Sequence, residues 1–194
     1  MKKRMSLIAA VLLLSASLAG CGLVKVVPIG EEAQYTGEKV FDSSEESSND
    51  WASVVSDITE KAQDFAELVK GDGVGSDAVA VSGSAKIVEF NTDTPKYFLL
   101  VEVDGCDAEI KIQAGGVYSG TTVRDAQSIK GFENFTNQTE WSQYAKALNK
   151  EVDAQVVAPL ALDESAAGKT VTFVGAAVEA SGTITITPVE LTIE

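Results

Sequence analysis

The sequence predicts a mainly β protein with two long helices, an α+β class built as a tandem duplication. Two stretches carry apolar residues at three- and four-residue steps, one from Val54 to Val69 and one from about Gln138 to Val157. That spacing marks an amphipathic helix. Around them, short alternating runs bounded by Asn, Asp, Pro and Gly read as strands and turns. An octapeptide also recurs. Tyr35 to Asp42 and Tyr118 to Asp125 share Tyr, Gly, Val and Asp at matching positions, the mark of an internal repeat.

The chain opens with Lys2, Lys3 and Arg4, followed by the apolar run Leu7 to Leu14. This run is shorter than the roughly 20 apolar residues a membrane span needs. With the small residues after it, it reads as an export signal. The signal closes on Leu18-Ala19-Gly20-Cys21, the lipobox pattern, in which lipid joins the Cys21 sulfur before cleavage. Residues 1–20 are therefore expected to be removed. The protein is expected to sit lipid-anchored outside the cytoplasmic membrane, on its periplasmic or extracellular face.

Removal of 1–20 takes away three of the 15 basic residues and none of the 29 acidic ones, so the mature chain is more acidic than the −14 of the whole. Such a chain repels phosphate backbones, which argues against nucleic acid as a partner. It repels anionic headgroups too, so the acyl chains must hold it. Once Cys21 is acylated, Cys106 has no partner for an internal disulfide. The sequence contains no histidine. Ser-His-Asp and Cys-His catalysis and His-ligated zinc are thereby excluded. Carboxylate pairs are plentiful, but no pair stands out for hydrolysis, and no Asp-rich calcium loop is present. The expectation is a non-enzyme without cofactor or metal.

Residues 21–34, including Leu23 to Ile29, read as a tether with one short apolar run. The acidic, Ser-rich patch Asp42 to Asp50 reads as a solvated loop. Asn49 or Asp50 is expected to cap the first helix near Trp51, which runs to about residue 70 before Gly71-Asp72-Gly73. Strands follow at 79–90, 97–103 and 110–112, with turns at Asn91 to Pro95 and Asp104-Gly105. The second helix spans about 138–157. Thr170–Val178 and Thr183–Ile193 form a closing hairpin around Ser181-Gly182.

Each copy of the octapeptide leads to a tryptophan (Trp51, Trp141), a helix and a strand containing a glycine (Gly83, Gly175). The unit boundary is placed at 113/114, giving units 35–113 and 114–194. The second unit is seven residues longer between its Asp and its Trp. An added loop is a natural place for function.

That loop carries the candidate site. Arg124 can fork onto a carboxylate or vicinal hydroxyls, with Asp125 accepting from a sugar hydroxyl. The structural reading is a capping box, Thr122-x-x-Asp125. Asn134, Thr136, Asn137 and Gln138 lie beside Phe132, Phe135 and Trp141. Amides beside aromatic faces suit a sugar ring. The structural reading is again capping, by Asn137-x-x-Glu140, with Phe135 packed inside.

Gly120-Thr121-Thr122-Val123-Arg124-Asp125-Ala126, Phe132 to Glu140, Ala145-Lys146-Ala147-Leu148-Asn149 and Gly168 to Ala176 together resemble an uncharacterised family of predicted periplasmic lipoproteins. The resemblance covers most of the mature chain. It implies two OB-like barrels in tandem that exchange C-terminal strands. It also implies a gene neighbourhood of ribose-type sugar ABC importers, hence a binding or accessory role beside such a system. The alternative is an envelope structural or protein-interaction lipoprotein with no small ligand.

Overall fold

The computed structural model describes residues 40–194. The signal at 1–20, Cys21, the tether at 21–34 and most of the first octapeptide lie outside the described residues. The fold below is that of the unit Asp42–Glu194.

The first helix, α1 (Ser43–Lys61), runs straight through the acidic patch. This corrects both the expected loop and the expected cap. Asp42, not Asn49 or Asp50, caps the helix, accepting from the Ser44 and Glu45 amides at 2.9 and 3.1 Å. Glu45 and Glu46 lie in the first turn, where the helix dipole favours negative charge. Ser47 and Trp51 are buried, so the patch is anchored by packing despite its polar composition. The helix breaks at Ala62, earlier than the expected 70. A two-residue strand β1 (Gln63–Asp64) and a short helix α2 (Phe65–Lys70), capped by Asp64, follow. Val54, Ile58 and Phe65 from the expected stripe are fully buried.

Five strands close a barrel. They are β2 (Val79–Asn91), β3 (Lys96–Glu102), β4 (Glu109–Gly116), β5 (Thr170–Ala180) and β6 (Thr183–Ile193). The order is β2-β3-β4-β6-β5, and pairing of β5 back to β2 completes the ring. Pairing is antiparallel except between β4 and β6, which run parallel, Ile112 beside Ile186. The long β2 serves both neighbours, pairing with β5 over Val79–Lys86 and with β3 over Lys86–Asn91. Strands from both sides of residue 114 thus build one barrel among the described residues.

Alternation sets the interior. Val81, Ile87, Leu99, Val101, Ile110, Ile112, Val171, Phe173, Ile184 and Ile186 are all buried, each contributing about 1.5–3 kcal/mol on burial. The β5–β6 hairpin turns at Ser181 and Gly182, both at positive φ (54° and 78°), the geometry of a tight hairpin turn.

Between β4 and β5 lie a short helix α3 (Thr122–Ala126), a 3-10 turn at Phe132–Asn134 and the second long helix α4 (Gln138–Glu151). α4 continues as a π turn, Val152–Val157, and a 3-10 turn, Ala158–Leu160, so the helical path expected to 157 is present with a change of pitch. The two long helices pack against each other.

Candidate functional site

The expected segment is built on Gly120 and α3. Thr121, not Thr122, is the helix cap, and no side chain caps a backbone amide there. Instead the Thr121 hydroxyl binds the Asp125 carboxylate. This corrects the Thr122-x-x-Asp125 capping box, because the helix starts one residue earlier than the motif requires. Arg124 and Asp125 bind each other: the guanidinium donates from Nε and Nη2 to Asp125 Oδ1 at 2.8 and 2.6 Å. The same guanidinium lies 4.3 Å above the Trp141 ring. Its side chain is only 13% exposed, so this cation is engaged within the chain.

Trp141 belongs to an aromatic trio. Phe135 packs 5.0 Å from Trp141 and 5.1 Å from Tyr144, and Trp141 stacks on Tyr144 at 6.2 Å. Arg124 covers the Trp141 end and Lys130 approaches the Tyr144 end. Desolvation and the Asp50 carboxylate beside it push the Tyr144 hydroxyl well above the usual phenol range, so it acts as a donor, bonding Asp50 Oδ2 at 3.0 Å.

Asn137 caps α4 through the Glu140 amide at 3.0 Å, and Glu140 reaches back to the Thr136 amide at 2.8 Å. Asn134 accepts from the Gly131 amide at 3.0 Å. Asn134, Thr136, Asn137 and Gln138 are exposed. The sequence thus brings Arg124, Asp125 and Trp141 into one cluster and strings the amides along the adjoining turn.

Sequence reasoning missed what holds this loop. Buried Gln127 accepts from the Ile129 and Lys130 amides and donates to the Arg124 and Lys130 carbonyls. Ser128 donates its amide and hydroxyl to Asp57 of α1, and Lys130 binds Glu46 and Asp50 of α1. The Gln127 bonds are local, but nothing nearby in the sequence signals the Ser128 and Lys130 pairings, which join positions more than seventy residues apart. Between these ties, Ile129 and Phe132 are 40% and 44% exposed.

A second feature lies at the barrel mouth. A groove of about 430 Å³ runs past Phe90, Tyr97, Gly115, Val157 and Leu162. Phe90 and Tyr97 meet edge-to-face at 6.3 Å.

A crystal structure of an OB-fold protein from Thermotoga maritima MSB8 matches 80% of this chain and 100% of its own, at 21% identity and a TM-score of 0.61. That likeness establishes the fold as OB-like. No curated protein matches. Among the described residues no helix is long and apolar enough to cross a membrane. The family model described as predicted periplasmic lipoprotein, DUF2291, matches residues 8–192, and the chain belongs to that family of lipid-anchored proteins of the cell envelope.

Proposed function

We propose that this lipoprotein is a non-enzymatic accessory module, docking on another envelope protein through the segment from Arg124 to Trp141, with a sugar ABC import system as its setting. The observation that carries this is the loop between α3 and α4. It presents Ile129 and Phe132 to solvent while Gln127, Ser128 and Lys130 fix its backbone. A fixed loop with exposed apolar side chains binds with little ordering cost. Exposed Asn134, Thr136 and Gln138 supply a polar rim of the kind that surrounds such contacts. Arg124 and Asp125 shape the loop from beneath, and the missing histidine supports the non-catalytic reading. The importer setting rests on the family resemblance.

The test is co-purification of the anchored protein with components of the neighbouring importer from membranes. Ile129→Asp with Phe132→Asp is expected to abolish recovery of the partner while leaving the melting temperature near that of the parent. Undiminished recovery would refute docking through this loop. A protein that recovers no importer component at all would favour the alternative, a purely structural envelope lipoprotein.

The duplication is proposed in a specific form. The two copies are the units 35–113 and 114–194, with the β2–β3 hairpin of the first corresponding to the β5–β6 hairpin of the second, and each hairpin carries a bulge. The C-terminal hairpin, from the second unit, completes the barrel begun by β2, β3 and β4 of the first. This is the pairing expected when C-terminal strands are exchanged.

A further inference from the structure

The front of α1 is helical without apolar support of its own. Residues 43–50 read Ser-Ser-Glu-Glu-Ser-Ser-Asn-Asp, and Trp51 is the first apolar residue of the helix. Ser, Asn and Asp compete with a helix by bonding nearby backbone. The stretch is also far shorter than the roughly 12–15 residues at which an isolated helix becomes even marginal. Asp42 caps its first turn, and Ser47 is its one buried residue.

Three acids of α1 meet the loop between α3 and α4. Glu46, Asp50 and Asp57 follow at steps of four and seven, one face of a helix. Lys130 binds Glu46 and Asp50. Ser128 binds Asp57 through its amide and its hydroxyl, at 2.8 and 3.0 Å. The buried residues Ser47, Trp51, Val54 and Ile58 form the adjoining face, which packs on β2, β5 and α4. The helix thus sits on the fold with one face and holds the loop with the next. The loop has the converse weakness. Ile129 and Phe132 are exposed, so burial does not fix it. Gln127 ties its backbone locally. The long-range hydrogen bonds of residues 128–132, among the described residues, all go to α1.

Two segments, each weak alone, share one set of ion pairs and hydrogen bonds. Segments of that kind open as one local unit. We propose that the front half of α1 and the loop of residues 127–134 order and loosen together, as a two-state element placed between the anchored end of the chain and its docking surface. Cys21 precedes α1 in the chain, so a pull from the anchor reaches α1 at its weak end first. Unwinding there takes Glu46 and Asp50 away from Lys130 and frees the loop. A partner seated on the loop resists the same unwinding, because linkage between two sites is reciprocal. The consequence for docking rests on the proposed use of the loop. The joint ordering does not.

The experiment is hydrogen exchange, read by mass spectrometry on the full-length lipoprotein in detergent, with substitutions at Ser48. Ser48 is exposed and lies on neither working face of α1. Alanine there strengthens the helix and glycine weakens it. Ser48→Gly should speed exchange of residues 127–134 by about fivefold or more, the lower end of coupling between linked sites. Ser48→Ala should slow it. Lys130→Met should in turn speed exchange of residues 44–50. The β5–β6 hairpin should exchange as in the parent throughout, since local opening leaves the barrel closed. A loop that keeps its exchange rate in Ser48→Gly while residues 44–50 exchange faster would overturn the proposal. So would a hairpin that loosens in step with the loop, the mark of global unfolding. In the co-purification of the importer component, Ser48→Gly should recover several-fold less partner than the parent. Undiminished recovery by that variant would overturn the link to docking. A parent that recovers no partner refutes the docking reading itself, and the exchange result then decides the joint ordering alone.

Discussion

The Lys130 ammonium lies 2.6 Å from the Asp50 carboxylate, pinning the loop between α3 and α4 to the middle of α1. Glu46 completes the clasp, and the Tyr144 hydroxyl holds Asp50 from the other side. Burial alone would lower the Lys130 pKa, but its bonds to Asp50 and Glu46 outweigh that and raise it. Lys130→Met should leave two neighbouring carboxylates uncompensated and lower stability by about 1–3 kcal/mol. Urea unfolding measures this, and hydrogen exchange should show the amides of Ile129 to Phe132 losing protection first.

A second tie predicts acid sensitivity. Burial raises the Asp57 pKa, but bonds from Lys61 and from the Ser128 amide and hydroxyl outweigh it, so the carboxyl sits below its usual range. A depressed folded-state pKa gives stability that is complete above the unfolded value of about 3.9 and is lost as pH falls through the folded value. Stability should therefore be flat in this respect near neutrality and decline below about pH 4. Lys61 is 43% exposed, so solvent screening limits the effect to about 1 kcal/mol. Asp57→Asn should flatten that part of the acid limb in urea titrations at stepped pH.

The two strand glycines should differ in their tolerance of alanine. A Cβ on Gly175 would meet the Thr187 carbonyl oxygen at 2.5 Å and the Pro188 Cα at 2.9 Å, both backbone atoms of β6. On Gly83 it would meet the Phe65 Cβ at 3.2 Å and the Phe173 ring at 3.4 Å, where side chains can shift. Gly175→Ala should cost about 1–3 kcal/mol or more, and Gly83→Ala distinctly less. Thermal denaturation of both variants checks the order, and equal losses would contradict it.

Phe65 is fully buried and meets Phe173 edge-to-face at 5.6 Å. Phe65→Ala should cost about 3–5 kcal/mol, a large share of a small domain's stability. A drop below about 1 kcal/mol in chemical denaturation would show that α2 is not part of the cooperative core.

Cys21→Ser should release the protein from the membrane, because the acyl chains are its anchor and the acidic body is repelled by anionic headgroups. Fractionation of cells expressing the variant tests this, and unchanged partitioning would refute anchoring at that residue.

What the sequence made legible follows from the range of the forces involved. The stripe through Val54, Ile58 and Phe65, the alternation along Thr183 to Ile186 and the Ser181-Gly182 turn are written within a few residues, and each appears where expected. The Asn137 cap is local too. The helical state of Ser43 to Asp50 is not. Its serines, Asn49 and Asp50 are weak helix formers in isolation. They are held by Trp51 burial and by Lys130, which lies 84 positions beyond Glu46 in the chain. Arg124 looked free in the sequence because only the fold brings Trp141 beneath it. The parallel pairing of β4 with β6 is equally non-local.

The order of strands around the barrel bears on how the polypeptide leaves the cytoplasm. The ring closes only when β5 meets β2 and β6 meets β4, and both late strands come from the last quarter of the chain. A nascent precursor threading outward signal-first cannot complete its barrel before nearly all of it has been synthesised. The early strands alone leave two open edges and an uncovered apolar face, which do not form a stable unit. Long-range pairing of this kind is also slow. The topology therefore delays premature folding and keeps the precursor competent for translocation until its final hairpin follows it across.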